Sequence, residues 1–185
     1  MAAAVLGSTM FTTRDGRLGA PAAGRYRLDP ETSNIGYSSK HMFGLGTVHA
    51  SFSVISGEIE VTDPLSASKV SVTVDAASFT SNSAKRDKDV KSSALLDVAA
   101  YPEISFESHE VRDEGGRWVV QGRVTAHGTV APVEVIIDRV TQDGPSLVIH
   151  GRADHIDRTT LGVTGSRGMV GRYFTLELEA VALLA

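Results

Sequence analysis

Lys40 and His41 are the adjacent side chains whose chemistry best suits a binding role, and they precede a Met42-Phe43-Gly44 turn between the first two predicted strands. An ammonium group beside an imidazole can donate hydrogen bonds to a carbonyl or to a pyrophosphate. The alternative interpretation is a histidine whose hydrogen bonds are made by the backbone and a lysine that stays in solvent. The residue types alone leave both interpretations open.

Metal binding and catalysis have little support in the sequence. The chain has no cysteine, which excludes disulfides, thiol catalysis and thiolate ligands. His150 and His155 are five residues apart and would face opposite sides of one regular strand. There is no Gly-x-Ser-x-Gly elbow, no His-Glu-x-x-His motif and no glycine loop of the phosphate-binding kind. We therefore expect no catalytic residues, no metal site and no cofactor, hence a protein that is not an enzyme.

The composition is that of one ordinary globular domain. The chain has 185 residues and a net charge of −4, which argues against nucleic-acid binding. No window of the sequence has the roughly 18 consecutive apolar residues that a transmembrane segment needs. Residues 1–6 are apolar but lack the basic start of a secretory signal, so the sequence predicts a cytoplasmic location.

Strands dominate the rest of the chain. Val70, Val72 and Val74 alternate with polar residues, as in a half-buried strand. The apolar positions change from even to odd numbers near Val54 and Ile55, which indicates a β-bulge. About eight such runs are separated by turn signals, and one helix-like insertion occurs near residues 83–97. Periodicity is compatible with either an antiparallel sandwich or a barrel.

Two segments differ in pattern. Residues 1–23 have no sustained period and are predicted to be a flexible N-terminal leader, whereas residues 24–185 form the predicted β domain. Within the helix-like insertion, the basic run that contains Lys85, Arg86, Lys88 and Lys91 is typical of a solvated helix face. The helix itself is expected to be a lid or a wall.

The amino-acid sequences of several blocks resemble those of the YceI-like family of bacterial lipocalin-like, polyisoprenoid-binding proteins. The most specific block is YPEISFES at 101–108, after the helical block RDKDVKSSALLD. The other similar blocks, in order, are YRLDPETSNIGYSSKHMFG at 26–44, VHASFSVISGEIEV at 48–61, GRVTAHGTVAPVEV at 122–135 and IDRTTLGV at 156–163. Thr32 and Asp89 stand where the family carries histidines, and Tyr26 stands in place of its opening tryptophan.

The resemblance implies an all-β fold, namely an extended, lipocalin-like, eight-stranded antiparallel β-barrel with the helical insertion near residues 83–97. It also implies an apolar cavity for a long-chain isoprenoid lipid, which the protein would carry or sequester without chemistry, and a homodimer. Lys40 and His41 are then the candidates for head-group binding. The residues expected to line the cavity are Phe52, Val54, Ile104, Phe106, Val120, Val124, Val135, Ile137, Phe174, Leu176 and Leu178.

Two other functions remain open at this point. One is an enzyme that uses the same cavity on an isoprenoid-type substrate, with His41 as a base. The other is a broad scavenger of hydrophobic compounds in a stress response. The ligand's chain length and head group are not encoded in any motif.

Overall fold

The computed structural model describes residues 9–10, 18–41, 45–166 and 169–185, with the backbone alone at residues 9, 10 and 41. Ten strands lie in the described part. Their bounds are β1 Thr9–Met10, β2 Gly24–Leu28, β3 Asn34–His41, β4 Gly46–Val61, β5 Lys69–Ser81, β6 Glu103–Glu114, β7 Arg117–Ala126, β8 Thr129–Asp143, β9 Ser146–Asp157 and β10 Val170–Leu184. Within these described ranges, one α-helix, α1, spans Ala84–Lys91, and two short 3-10 helices span Leu65–Ala67 and Arg158–Leu161.

The strands form a closed antiparallel barrel of eight positions. Pairing runs through β4, β5, β6, β7, β8 and β9 to β10. β2 and β3 share the remaining position, because each of them pairs with both β4 and β10. Between these two strands the Ser33 hydroxyl replaces a backbone partner of Val181, accepting from its N–H at 3.1 Å. The barrel and its helical insertion confirm the predicted fold class and decide against a sandwich.

The bulge predicted in β4 is present. The β4–β5 register shifts between Val54 and Ser56. Before the shift Phe52 and Val54 are buried, and after it Ile59 and Val61 are buried. The extra residue therefore keeps apolar side chains inside the barrel on both sides of the bend.

One end of the barrel is filled by packed side chains. Tyr26, Val140, Leu147 and Ala182 are fully buried there, where β2, β8, β9 and β10 meet. The Tyr26 hydroxyl donates to the Ala22 carbonyl at 2.8 Å, so the polar atom of this aromatic plug is satisfied. We call this end the closed end.

α1 follows β5 at the opposite end. The Ser83 hydroxyl caps it by accepting from the Arg86 N–H at 3.4 Å. The Asp87 carboxylate accepts from the Ser81 N–H at 3.0 Å and from its hydroxyl at 2.6 Å, which ties the first turn to the end of β5. Residues 92–97 continue as hydrogen-bonded turns that bury Leu95.

The described parts of residues 1–23 contact the barrel. Thr9 and Met10 pair with Gln142 and Thr141 of β8, and the Leu18 N–H donates to the Gly116 carbonyl at 2.9 Å. Residues 1–8 and 11–17 of the predicted leader lie outside the described residues, so its flexibility stays a prediction. No helix in the described part of the chain is long and apolar enough to cross a membrane.

Candidate functional site

The half of the barrel nearer α1 encloses a cavity of about 560 Å³. Its walls come from inward-facing residues of β3 to β10, from α1 with the turns after it, and from the segment between β9 and β10. Most of the lining is aliphatic or aromatic, for example Ile35, Val74, Ala126, Val133 and Ile156. A cavity of this volume is within the range of small-molecule sites.

Four aromatic rings form one cluster on the cavity wall. Tyr37 of β3 lies 5.2 Å from Phe174 and 5.8 Å from Phe79, measured between ring centroids. Phe52 and Phe79 are 5.2 Å apart with their planes at 65°, an edge-to-face arrangement. The cluster presents a polarisable, apolar surface to whatever occupies the cavity.

Tyr37 is the titratable member of that cluster. Burial raises the pKa of the Tyr37 phenol, and a hydrogen bond with Ser39 and the positive charge of Arg158 oppose that rise. The phenol is therefore neutral at physiological pH and acts as a hydrogen-bonding group within the lining, not as a base.

Arg158 is a buried cation that holds part of the cavity wall in place. Its guanidinium donates to the carbonyls of Val163 at 2.6 Å and Gly171 at 3.0 Å. These bonds tie the 3-10 helix Arg158–Leu161 to the residues just after it and to the start of β10. Although Arg158 lines the cavity, these contacts make it chiefly a structural group.

Asp157 caps the same 3-10 helix. Its carboxylate accepts from the Thr159 N–H at 2.9 Å and hydroxyl at 2.7 Å, and from the Arg172 guanidinium at 2.8 Å. The hydrogen bond from Arg172, followed by that from Thr159, holds the pKa of Asp157 well below its usual value. The carboxylate is thus a charged structural group and lies beside the cavity wall.

The cavity reaches solvent next to α1. Exposed residues that line it there include Lys40, Lys85, Asp89 and Met169, and we call this opening the mouth. The half-buried Arg86 also lines the mouth, and its guanidinium donates to Asn82 at 3.0 Å and Ser81 at 3.2 Å. α1 is therefore part of the cavity wall, as the sequence led us to expect.

The charge pattern of the basic run of α1 predicts a solvated helix face, whereas in the structure Lys85 and Arg86 border the cavity. The spacing of charges does not indicate that a lysine lies at a cavity, because an exposed lysine at a cavity mouth and one on an open helix face have the same sequence pattern. The lining contributions of Tyr37 and Phe79 were also missed. Tyr37 follows the alternation of β3, which marks inward-facing residues. Phe79 does not follow the even-numbered alternation of β5, because the β4–β5 register shifts between Ser51 and Ser53.

Lys40 lies at the mouth, where its ammonium donates to the Thr47 hydroxyl at 3.0 Å. His41 ends β3, and its side chain lies outside the described residues. The backbone at His41 pairs with Gly46 and Val170, which places it at the same end of the barrel as the mouth.

Of the eleven residues expected to line the cavity, some border it and the others lie in the packed interior of the barrel. Five of them border the cavity: Phe52, Ile104, Val124, Phe174 and Leu176. The other six are not among the residues that border the cavity: Val54, Val120, Val135 and Ile137 belong to the packed core, and the partly buried Phe106 and Leu178 pack against it. Phe106 shows why the core is filled, because its ring lies where a side chain on Gly122 would stand.

Gly165 permits close packing of the two segments that flank the mouth. A Cβ atom at Gly165 would collide with the Ala94 carbonyl oxygen, and it would also contact Leu95. Only glycine allows the backbone after the 3-10 helix to approach the turns after α1 this closely.

Metal ligands are not assembled anywhere in the described ranges: no group of three or more His, Asp or Glu side chains there could hold a metal ion. The chemistry that the described site offers is burial of an apolar body with cationic contacts at one end.

In fold and site this is a closed eight-stranded antiparallel β-barrel with an apolar cavity and a basic mouth. The chain belongs to the YceI-like family, since residues 26–182 match the model of the YceI-like domain. The family assignment made from the sequence blocks is confirmed.

Curated relatives agree. A UPF0312 protein of Yersinia pestis (strain Pestoides F) is 34% identical over 131 residues, which cover 69% of this chain and 65% of that protein. A UPF0312 protein of Enterobacter sp. (strain 638) is 31% identical over the same shares. The chain thus spans slightly less than two thirds of the length of these relatives.

Solved structures share the fold. Burkholderia cenocepacia BcnA has a TM-score of 0.73 at 23% identity, over 83% of this chain and 98% of that one. A polyisoprenoid binding domain from Saccharophagus degradans, described as implicated in plant cell wall breakdown, has a TM-score of 0.61 at 10% identity, over 89% and 100%. The YCEI protein of Campylobacter jejuni has a TM-score of 0.58 at 19% identity, over 72% and 81%.

Proposed function

We propose that this protein binds a polyisoprenoid lipid, of the isoprenoid quinone or prenyl pyrophosphate type, and carries or sequesters it without changing it chemically. The observation that carries the proposal is the division of the cavity into an apolar, aromatic-lined interior and a basic mouth. Burial of each methylene contributes about 0.8 kcal/mol, so such an interior suffices to hold a prenyl chain. The likeness in fold to a polyisoprenoid binding domain supports the same ligand class.

The cavity volume sets an expected chain length. At roughly 30 Å³ for each heavy atom, about the share of a water molecule in the liquid, 560 Å³ corresponds to about 20 carbons. Geranylgeranyl compounds match this size. A longer chain would have to leave its end in the mouth, because the core at the closed end is already filled.

The head group is proposed to lie at the mouth. Lys40 and His41 were the candidates from the sequence, and Lys85 and Arg86 are added by their place on the lining. These groups favour an anionic or carbonyl-bearing head group over a hydroxyl.

Geranylgeranyl pyrophosphate is therefore expected to bind about tenfold more tightly than geranylgeraniol, and Lys85→Ala should reduce that preference. Fluorescence titration and native mass spectrometry of the full chain measure both ligands. Lys69→Ala, at the closed end, is the matched control. Failure of both ligands to bind would reject the proposed function, whereas equal affinity for the two would reject only the head-group assignment.

The two other functions and the homodimer have direct tests. Turnover of a geranylgeranyl substrate that disappears in His41→Ala would favour an enzyme. Equal affinity for prenyl lipids and unrelated apolar dyes would favour a broad scavenger. The homodimer expected from the family resemblance is tested by analytical ultracentrifugation, and the cytoplasmic location, which stays a prediction, by cell fractionation.

A further inference from the structure

Two large apolar side chains are strongly exposed beside the mouth. Leu45 is 87% exposed and Met169 is 63% exposed, the highest values for large apolar residues in the described part of the chain. Contact of leucine and methionine side chains with water is unfavourable, so covering them with another apolar surface lowers the free energy.

The strand register places these two residues at the same point of the barrel rim. His41 pairs with Gly46 on one side and with Val170 on the other, so the three residues form one row across β4, β3 and β10. Leu45 directly precedes Gly46, and Met169 directly precedes Val170. The two exposed side chains therefore flank one row at the end of the barrel where the cavity opens.

Exposed cations accompany them. Lys40 and Lys85 line the mouth, and Lys88 is exposed one helical turn beyond Lys85 on the same face of α1. The carboxylates of α1 itself are Asp87, which accepts hydrogen bonds from Ser81, and Asp89, which lines the mouth. The net charge of the whole chain is −4, so a cluster of lysines at this end is opposite in sign to the net charge of the protein.

We propose that the mouth rim, defined as Lys40, Leu45, Lys85, Lys88 and Met169, docks on an anionic lipid bilayer and takes the prenyl chain directly from it. Apolar side chains that enter the interface, together with cations above anionic head groups, are the combination that binds membrane surfaces. Because the cavity opens within this rim, a lipid could pass from bilayer to cavity without crossing water. The inference rests on the proposed function and adds the source of the ligand.

The test compares two double variants of the full chain. Leu45→Ser with Lys88→Glu changes the rim at two residues that do not line the cavity. Leu183→Ser with Lys69→Glu makes the same exchanges at exposed positions of the closed end, where Leu183 is 49% exposed. Co-sedimentation is measured with vesicles of phosphatidylcholine alone and of phosphatidylcholine mixed with phosphatidylglycerol.

We expect the native protein and the closed-end variant (Leu183→Ser with Lys69→Glu) to bind the mixed vesicles. The affinity of the rim variant (Leu45→Ser with Lys88→Glu) for these vesicles should be lower by at least about tenfold. All three should bind geranylgeraniol added from ethanol, which measures the proposed function separately. Equal vesicle binding by both variants would overturn the docking surface. So would uptake of geranylgeraniol from vesicles that requires an added protein, since the rim would then serve a protein partner.

The two proposals fail in different ways. A native protein that binds geranylgeraniol from ethanol but neither type of vesicle disproves docking and leaves the ligand class intact. A native protein that binds mixed vesicles but not geranylgeraniol disproves the proposed ligand, and with it the role assigned to docking.

Discussion

Individual side chains divide the barrel interior into a cavity and a packed core. Val124 of β7 borders the cavity, whereas Val135 of β8 belongs to the core. Both valines face inward and both are buried. Their difference lies only in what stands opposite each of them, which is open space for Val124 and packed side chains for Val135.

This difference predicts opposite effects of one substitution. Val124→Phe should place its ring in the cavity, lower geranylgeraniol affinity at least about tenfold, and cost little stability. Val135→Phe should overpack the core and cost about 1–3 kcal/mol in the free energy of unfolding. Urea denaturation and ligand titration of both variants are the measurements. A Val124→Phe protein that binds geranylgeraniol as the native protein does would show that the ligand lies elsewhere.

Among the elements, the segment from β9 to β10 matters most for the site. The 3-10 helix Arg158–Leu161 begins at Asp157, whose carboxylate joins it to Arg172 at the start of β10. Arg158 then donates to the carbonyl of Val163 and to that of Gly171 at the start of β10. Charged groups therefore help to hold this part of the cavity wall, together with the buried Leu161 and Val163.

Acid is expected to weaken that wall. The pKa of Asp157 is lower in the folded protein than its unfolded value near 4. The charged carboxylate therefore makes its full contribution to the free energy of unfolding at neutral pH. The contribution is lost as pH falls below about 4 towards the folded pKa. Relative to Asp157→Asn, the native protein should therefore be more stable at pH about 7, and the difference should shrink at pH about 3.

Urea denaturation at the two pH values measures the difference. Asp154→Asn is the matched control, since Asp154 forms an exposed ion pair with Arg152 that contributes little. A difference between the native protein and Asp157→Asn that stays constant with pH would contradict the role given to the carboxylate.

For the molecule as a whole, closure of the barrel links the cavity to global stability. Each barrel position is paired on both sides, and β9 completes the ring between β8 and β10. The cavity wall includes residues from β3 through β10, so a ligand bound as proposed would contact most of the ring at once. Ligand binding should consequently stabilise the barrel as one cooperative unit.

We expect a single unfolding transition that moves up when geranylgeraniol is bound. At a free ligand concentration about 100 times the Kd, the stabilisation is about 2.7 kcal/mol, which corresponds to a rise in Tm of roughly 5–10 °C for a domain of this size. Differential scanning calorimetry gives the shift. At the same ligand concentration Val124→Phe, which should bind at least about tenfold more weakly, should show at most about half of it. An unchanged Tm at saturation would be incompatible with a ligand that contacts this wall.

The strands, the bulge in β4 and the helical insertion could be predicted from the sequence because they depend on local patterns. Alternation along β4 and β5, the change of parity near Val54, and the turn before Glu103 each involve only neighbouring residues. The family resemblance then chose the barrel over the sandwich.

The boundary between cavity and core is not local. Val120 and Val124 have the same alternation and the same burial, yet the cavity borders only Val124. That border is set by strand register and by the Phe106 ring over Gly122, while the basic mouth is set by where α1 docks. Alternation determines which side chains face inward, but only packing between distant strands decides which of them touch a ligand and which touch each other.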